Sequence, residues 1–225
     1  MNYIGEAIAY IFAAANWSGS LGIGRLLLQH IGYSLLGVAV AAAIGVPLGW
    51  WIGHTGRGRG AAIALAGAVR ALPTLGLITL FGLILGVGLS APMLAFIVLA
   101  LPSVLAGAYT GIEAADPVAV DGARASGMSE FQLLTRVEIP LGAPLLVGGL
   151  RSAALQVIAT ATLAAYTGAG GLGRLMFLGL KTQDYGMMLA SSLMVIALAL
   201  ASELFFILLQ RAVTPVGTRN RKESP

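Results

Sequence analysis

The sequence predicts an all-α integral membrane protein, a polytopic bundle of five transmembrane helices. Three observations carry that prediction. The 225-residue chain is 58% hydrophobic and only 10% charged, with a mean hydropathy of +0.90; soluble domains carry roughly 25% charged residues. Long stretches have no formal charge at all: between Arg25 and Arg57, Arg70 and Glu113, Arg151 and Arg174, and Asp184 and Glu203. A spanning helix needs ~20 mostly apolar residues, so each stretch holds at least one span and the second has room for more. Glycine, alanine and leucine dominate without the two-residue alternation of a barrel strand, which selects helices.

In chain order, residues 1–25 read as an amphipathic or partly inserted lead-in. They lack the basic n-region of a cleaved signal peptide. The first span covers about 26–52. The second covers about 60–87 and is interrupted at Pro73, which removes a backbone donor and kinks or breaks its helix. Splitting this segment at Leu72-Pro73 gives the alternative count of six. The third, fourth and fifth spans cover about 92–111, 141–166 and 187–211. The spans together form one transmembrane domain, 26–212, followed by a basic tail, 213–225.

Orientation follows from lysine and arginine. With five spans, one set of ends carries Arg57, Arg59, Arg124, Arg136, Arg211, Arg219, Arg221 and Lys222; the other carries Arg25, Arg174 and Lys181. The first set is expected in the cytoplasm, with the N-terminus outside and the C-terminus inside. Six spans would put the N-terminus inside. The net charge of +4 therefore reads as topology rather than nucleic-acid binding. Trp17, Trp50 and Trp51 suit membrane interfaces. The absence of cysteine excludes disulfides, thiolate metal sites and cysteine nucleophiles.

Between the third and fourth spans lies a polar island, about 113–140, holding Asp116, Asp121, Arg124, Glu130, Arg136 and Glu138. Asp116-Pro117 is a good helix start, since Asp caps and Pro is tolerated in the first turn. A short helix over 118–126 follows. Gly127 permits the reversal that a helix end requires, and Ser129-Glu-Phe-Gln132 reads as the cap and first turn of a second helix. Pro140 marks the return to the membrane. Taken alone, this describes an amphipathic hairpin.

Its spacing says more. The signature of importer permeases reads E-A-A, three residues, G, nine residues, I-x-L-P. Counted back from Pro140, it falls on Asp121-Gly122-Ala123, Gly127 and Val137-x-Ile139-Pro140, with Asp for Glu, Gly for Ala, Val for Ile and Ile for Leu. The literal Glu113-Ala114-Ala115 is a decoy, because its glycine position falls on Ala119. On these residues the chain resembles the permease subunits of binding-protein-dependent ABC importers over about 25–212. Ile44-Gly-Val-Pro-Leu-Gly49, at the end of the first span, and Arg70-Ala-Leu-Pro-Thr74 add to the likeness. Gly168-Ala-Gly-Gly-Leu-Gly173 and Leu178-Gly-Leu-Lys-Thr-Gln-Asp-Tyr185 resemble the osmoprotectant branch, which imports glycine betaine, choline and carnitine. Methionine-importer permeases look similar, though less close.

The resemblance implies a non-catalytic transport subunit of a prokaryotic cell (inner) membrane. Its expected partners are two ABC ATPase subunits, a second permease (identical or paralogous) and an extracellular or periplasmic substrate-binding protein. ATP and Mg belong to the ATPase, and no cofactor is expected on this chain. The residues expected to couple to the ATPase are Asp121, Gly122, Ala123, Arg124, Gly127, Met128, Val137, Ile139 and Pro140. A self-contained channel or secondary carrier is the rival class, and a membrane-embedded enzyme a distant third.

Two glycine-rich strings are weaker signals. Gly168 to Gly173 matches G-x-G-x-x-G, but that fingerprint needs a strand before it and a βαβ unit around it; a tight re-entrant or outer loop, a contact for the binding protein, is the better reading. Gly179-Leu-Lys-Thr182 misses the P-loop spacing. Gly45/Gly49, Gly82/Gly86 and Gly107/Gly111 form G-x-x-x-G pairs, suited equally to local packing or to a subunit interface.

Charges within spans are functional candidates. Arg70, Arg151 and Glu203 lie roughly 12–17 Å above the end expected to be cytoplasmic, at 1.5 Å per residue. That common layer suggests that Glu203 neutralises Arg70 or Arg151 near an inner gate; a purely structural ion pair or snorkelling is the alternative. His30 reads as a hydrogen-bonding residue rather than a metal ligand. Tyr109, Tyr166 and Phe177 offer ring faces to a quaternary amine, or simply pack.

Overall fold

The computed structural model describes residues 2–214, so most of the basic tail, with Arg219, Arg221 and Lys222, lies outside the described residues. Among the described residues ten α-helices carry the fold: α1 (Tyr3–Phe12), α2 (Ile23–Thr55), α3 (Arg59–Arg70), α4 (Thr74–Leu85), α5 (Ser90–Glu113), α6 (Pro117–Ala125), α7 (Glu130–Leu133), α8 (Ile139–Thr160), α9 (Gly173–Thr182) and α10 (Tyr185–Val213). Short 3₁₀ turns cover Ala14–Trp17 and Ala161–Thr167, and a π-helical turn, Leu134–Glu138, leads into α8. Among the described residues there is no strand.

Four helical stretches are long and apolar enough to cross a membrane, Ile23–Thr55, Ser90–Glu113, Glu130–Thr167 and Tyr185–Val213; α3 and α4 make a fifth if they count as one broken span. The break falls at 71–73, where Pro73 caps α4 with φ −69° and ψ 118°. Each half has 12 residues, ~18 Å of helix. Neither crosses a ~30 Å hydrocarbon core alone, which removes the physical basis of the six-span alternative. The first span is longer than the sequence suggests: α2 runs through Pro47 and past Gly49 to Thr55.

The chain divides into two units that interleave in sequence. One comprises Met1–Ala39, Ala71–Ala100 and Ala154–Ser202. Its core holds Ile23, Leu26, Leu172 and Leu175, with Tyr10, Met187 and Met194 packed against them. The lead-in belongs here. Asn2 caps α1 by accepting the Gly5 N–H at 3.1 Å, and the Tyr3 and Tyr185 rings meet edge-on at 5.5 Å. Its faces differ: Ala7 is buried while Ile4 and Phe12 are exposed. The loop before α9 is tied to α2, because Gln29 accepts the Gly171 N–H at 3.2 Å and Tyr33 donates to the Ala169 carbonyl at 2.8 Å. His30 is fully buried, its Nε2 donating to the Ile158 carbonyl at 2.9 Å.

The other unit comprises Val40–Arg70, Leu101–Ala153 and Glu203–Pro225. Glycines let its helices approach closely. A Cβ at Gly49 would lie 2.5 Å from the Ala108 Cβ, and one at Gly53 2.6 Å from the Ile112 Cβ, so α2 lies against α5. Gly107 and Gly111 of α5 face Gly149 and Gly142 of α8, where an added Cβ would sit 2.5–2.8 Å from backbone atoms. These contacts put Gly45/Gly49 and Gly107/Gly111 to use in packing within the chain. Gly82 and Gly86 do not form such a crossing: the nearest atom to a Cβ at Gly82 is 3.7 Å away, and Gly86 has nothing within 4 Å.

Candidate functional site

The polar island folds as a helical hairpin built almost entirely from local signals. Asp116 accepts the Val118 N–H at 2.9 Å and Pro117 occupies the first turn of α6. At the other end Gly127 takes φ +82°, a left-handed conformation that a side chain would strain. The N–H groups of Gly127 and Met128 then return to the carbonyls of Arg124 and Ala123, at 2.9 and 3.3 Å. This paired closure satisfies the last carbonyls of the helix. Ser129 and Gln132 form a reciprocal capping box at α7, at 3.3 and 3.0 Å.

The residues assigned to coupling divide by exposure. Asp121, Gly122, Arg124, Gly127 and Pro140 are exposed; Met128, Val137 and Ile139 are half-buried; Ala123 is buried. Two large apolar side chains also face outward, Val118 at 79% and Phe131 at 75% exposure. Charge locks the hairpin shut. Arg124 donates through Nε and Nη2 to the two Glu130 carboxylate oxygens, both at 3.3 Å, and its Nη1 lies 3.9 Å from Asp121. The hydrogen bonds from Arg124 hold the Glu130 carboxyl below the usual glutamate range, and Glu130 in turn raises the Arg124 guanidinium.

One participant carries no signal in the sequence. His54, near the end of α2, places Nδ1 2.6 Å from Glu138 Oε2 and Nε2 3.4 Å from Glu130 Oε2. Glu138 is only 6% exposed. It sits at the end of the π-helical turn, whose widened register is a feature found often at functional sites. His54 and Glu138 stand 84 residues apart, too far for any local pattern to link them. In the same unit, Arg59 meets Glu113 at 3.4 Å.

Of the three charges placed within spans, the structure joins two. Arg151 Nε donates to Glu203 Oε2 at 2.6 Å, and Nη2 donates to Glu203 Oε1, a bidentate pair between α8 and α10. Arg70 ends α3 exposed, with no carboxylate in ion-pair range among the described residues. Gln210 fastens the same two helices again by donating to the Pro144 carbonyl at 2.9 Å.

The glycine string before α9 is a tight loop with Gly168, Gly170 and Gly171 all at positive φ. It follows a 3₁₀ turn, not a strand, so the dinucleotide geometry is missing. Tyr166 and Phe177 stand 6.4 Å apart beside an open concavity of about 570 Å³ that Lys181 also lines. Tyr109 is elsewhere, packed on the Ile52, Ala62 and Leu105 cluster.

Comparison with known proteins agrees with this architecture. Residues 45–216 match the family described as binding-protein-dependent transport system inner membrane component. The glycine betaine/carnitine/choline transport system permease protein OpuCB of Bacillus subtilis is 31% identical over 87% of this chain and 90% of its own length. The osmoprotectant import permease protein OsmW of Salmonella typhimurium is 33% identical over 88% of this chain and 94% of its own. Among solved structures, the inward-facing MetNI methionine ABC transporter matches with a TM-score of 0.72 at 21% identity, covering 86% of this chain and 96% of that one. At that identity the likeness speaks for the fold alone.

Proposed function

The chain belongs to the binding-protein-dependent transport system inner membrane components, and from that premise we propose that it is the permease subunit of an ATP-driven importer of quaternary-amine osmoprotectants. The observation that carries the substrate class is the pair of relatives named for such solutes, each matched at 31–33% identity along nearly its whole length. Substrate delivery falls to a binding protein outside the cell. Two such permeases, identical or paralogous, enclose the path, and two ATPases drive it.

The hairpin 113–140 is the part an ATPase grips. It lies on the side richer in arginine and lysine, which the charge rule assigns to the cytoplasm together with the C-terminus. Its caps, its glycine reversal and the Arg124–Glu130 lock make it a rigid knob. Val118 and Phe131 supply apolar anchors and Asp121 and Arg124 a polar rim, the layout of a protein interface with an apolar centre. ATP closes the ATPase pair, the knob moves with it, and the spans switch between outward- and inward-open states. In the segment the charge rule assigns to the exterior, Tyr166 and Phe177 are ring faces suited to a quaternary ammonium.

Co-expression with the cognate ATPase, pull-down and uptake of glycine betaine test the reading. Wild type should retain the ATPase and support uptake that methionine does not compete. Gly127→Pro and Asp121→Lys should lose both binding and uptake. Survival of both variants, or uptake without any ATPase, would make the chain a carrier or channel instead.

A further inference from the structure

The hairpin does not meet the membrane helices through backbone alone. Running inward from its exposed face, acidic and basic side chains alternate: Asp121, Arg124, Glu130, His54, Glu138. The chain of contacts passes from α6 to α7, crosses to the end of α2 at His54, and finishes on the buried carboxylate that leads into α8. Both imidazole nitrogens face carboxylate oxygens. Nδ1 is in hydrogen-bond contact with Glu138 at 2.6 Å, and Nε2 stands 3.4 Å from Glu130. Removing the imidazole leaves the buried Glu138 carboxylate without its 2.6 Å partner, an expensive arrangement that the fold avoids by holding His54 in place.

We propose that His54 is a positioning residue for coupling, the bolt that ties the ATPase-gripping hairpin to the feet of two membrane helices, α2 and α8. The inference rests on the permease reading and adds to it a specific route. When the knob is displaced, Glu130 moves with it, and His54 transmits the displacement to α2 and, through Glu138, to the π-helical turn. That turn is the proposed point of give, since its i→i+5 register is rare and recurs at functional sites. The route differs from simple docking: an ATPase still binds the outer face of the hairpin when the bolt is missing, but its closure no longer moves the spans.

The test uses the full permease–ATPase complex with its binding protein, reconstituted in proteoliposomes, and reads transported glycine betaine per ATP hydrolysed. His54→Gln removes the basic ring and keeps one donor. It should assemble in normal yield, hydrolyse ATP, and transport roughly five- to tenfold less per ATP, the scale of a typical coupling energy. His54→Lys returns a basic donor between the carboxylates and should recover much of the ratio. Glu138→Gln, which keeps an acceptor for His54 and so protects the fold, should uncouple like His54→Gln. An unchanged ratio in assembled His54→Gln and Glu138→Gln would overturn the proposal, as would His54→Lys uncoupling as severely as His54→Gln. A wild-type chain that neither binds an ATPase nor transports would overturn the permease reading itself, a different outcome from coupled variants.

Discussion

Gly142→Ala adds one methyl group at the crossing of α5 and α8, and the structure sets its cost. The new Cβ would lie 2.5 Å from both the carbonyl carbon and the oxygen of Gly111, where ordinary contact begins at 3.4 Å. Both obstacles are backbone atoms of a helix, so no side chain can rotate away. The helices must separate by about 0.9 Å, a gap that forfeits a quarter to a half of each dispersion contact along the crossing. Overpacking of this kind costs about 2–3 kcal/mol, and the helix-propensity gain of Gly→Ala returns about 0.5–1 kcal/mol. Strain therefore wins, leaving a net loss of about 1–2.5 kcal/mol. Gly67→Ala is the matched control: it lies in α3 with nothing within 4 Å of an added Cβ. There only the propensity term operates, and the variant should be more stable than wild type by about 0.5–1 kcal/mol. Denaturant unfolding of purified protein in mixed micelles measures both. If Gly142→Ala proves as stable as Gly67→Ala, the close crossing is not a feature of the folded chain.

Three further expectations follow from other contacts. Glu203→Gln strands the Arg151 guanidinium within a span and should cost about 2–3 kcal/mol in the same unfolding assay, whereas Arg151→Leu with Glu203→Leu should recover most of that loss; a double variant worse than the sum of the singles contradicts the pairing. Val118→Asp or Phe131→Ser should weaken ATPase binding at least tenfold by pull-down titration, as truncated interface anchors do, without changing the stability of the permease alone. Because Arg124 holds the Glu130 carboxyl below its usual range, the lock is intact at neutral pH and is lost as pH falls through that lowered value. The protection of amides at the end of α6, relative to the intrinsic exchange rate at each pH, should therefore fall on acidification in wild type, while Glu130→Gln should show the lower protection already at neutral pH and no acid step.

The parts legible in the sequence are those decided locally. Asp116-Pro117, Gly127 and Ser129 with Gln132 each act within four residues, so the hairpin can be drawn from its amino acids alone. Charge-free stretches likewise place the spans, because a membrane constrains length and polarity rather than contacts. The features that sequence does not reveal depend on rotation and distance. Glu203 could pair with Arg70 or Arg151 by height alone; which one it meets is set by the phase of α8 and α10, and the structure joins it to Arg151. His54 meets Glu138 across 84 residues of sequence, at the end of a π-helical turn, and a single extra residue in a helix leaves no compositional trace. Pro47 lies inside the first span, and α2 continues through it to Thr55, as proline in a membrane helix is tolerated when neighbours re-satisfy the backbone.

The central claim, that the 113–140 hairpin is where an ATPase takes hold, has a direct test because the chain contains no cysteine. Single cysteines at Val118 and Phe131, with Val87→Cys as a still more exposed control in the other unit, can each carry a short bifunctional cross-linker in the presence of the ATPase. The account predicts permease–ATPase adducts from positions 118 and 131, with yields that change on adding ATP, and none from position 87. Adducts of equal yield from all three positions, or from position 87 alone, would contradict it.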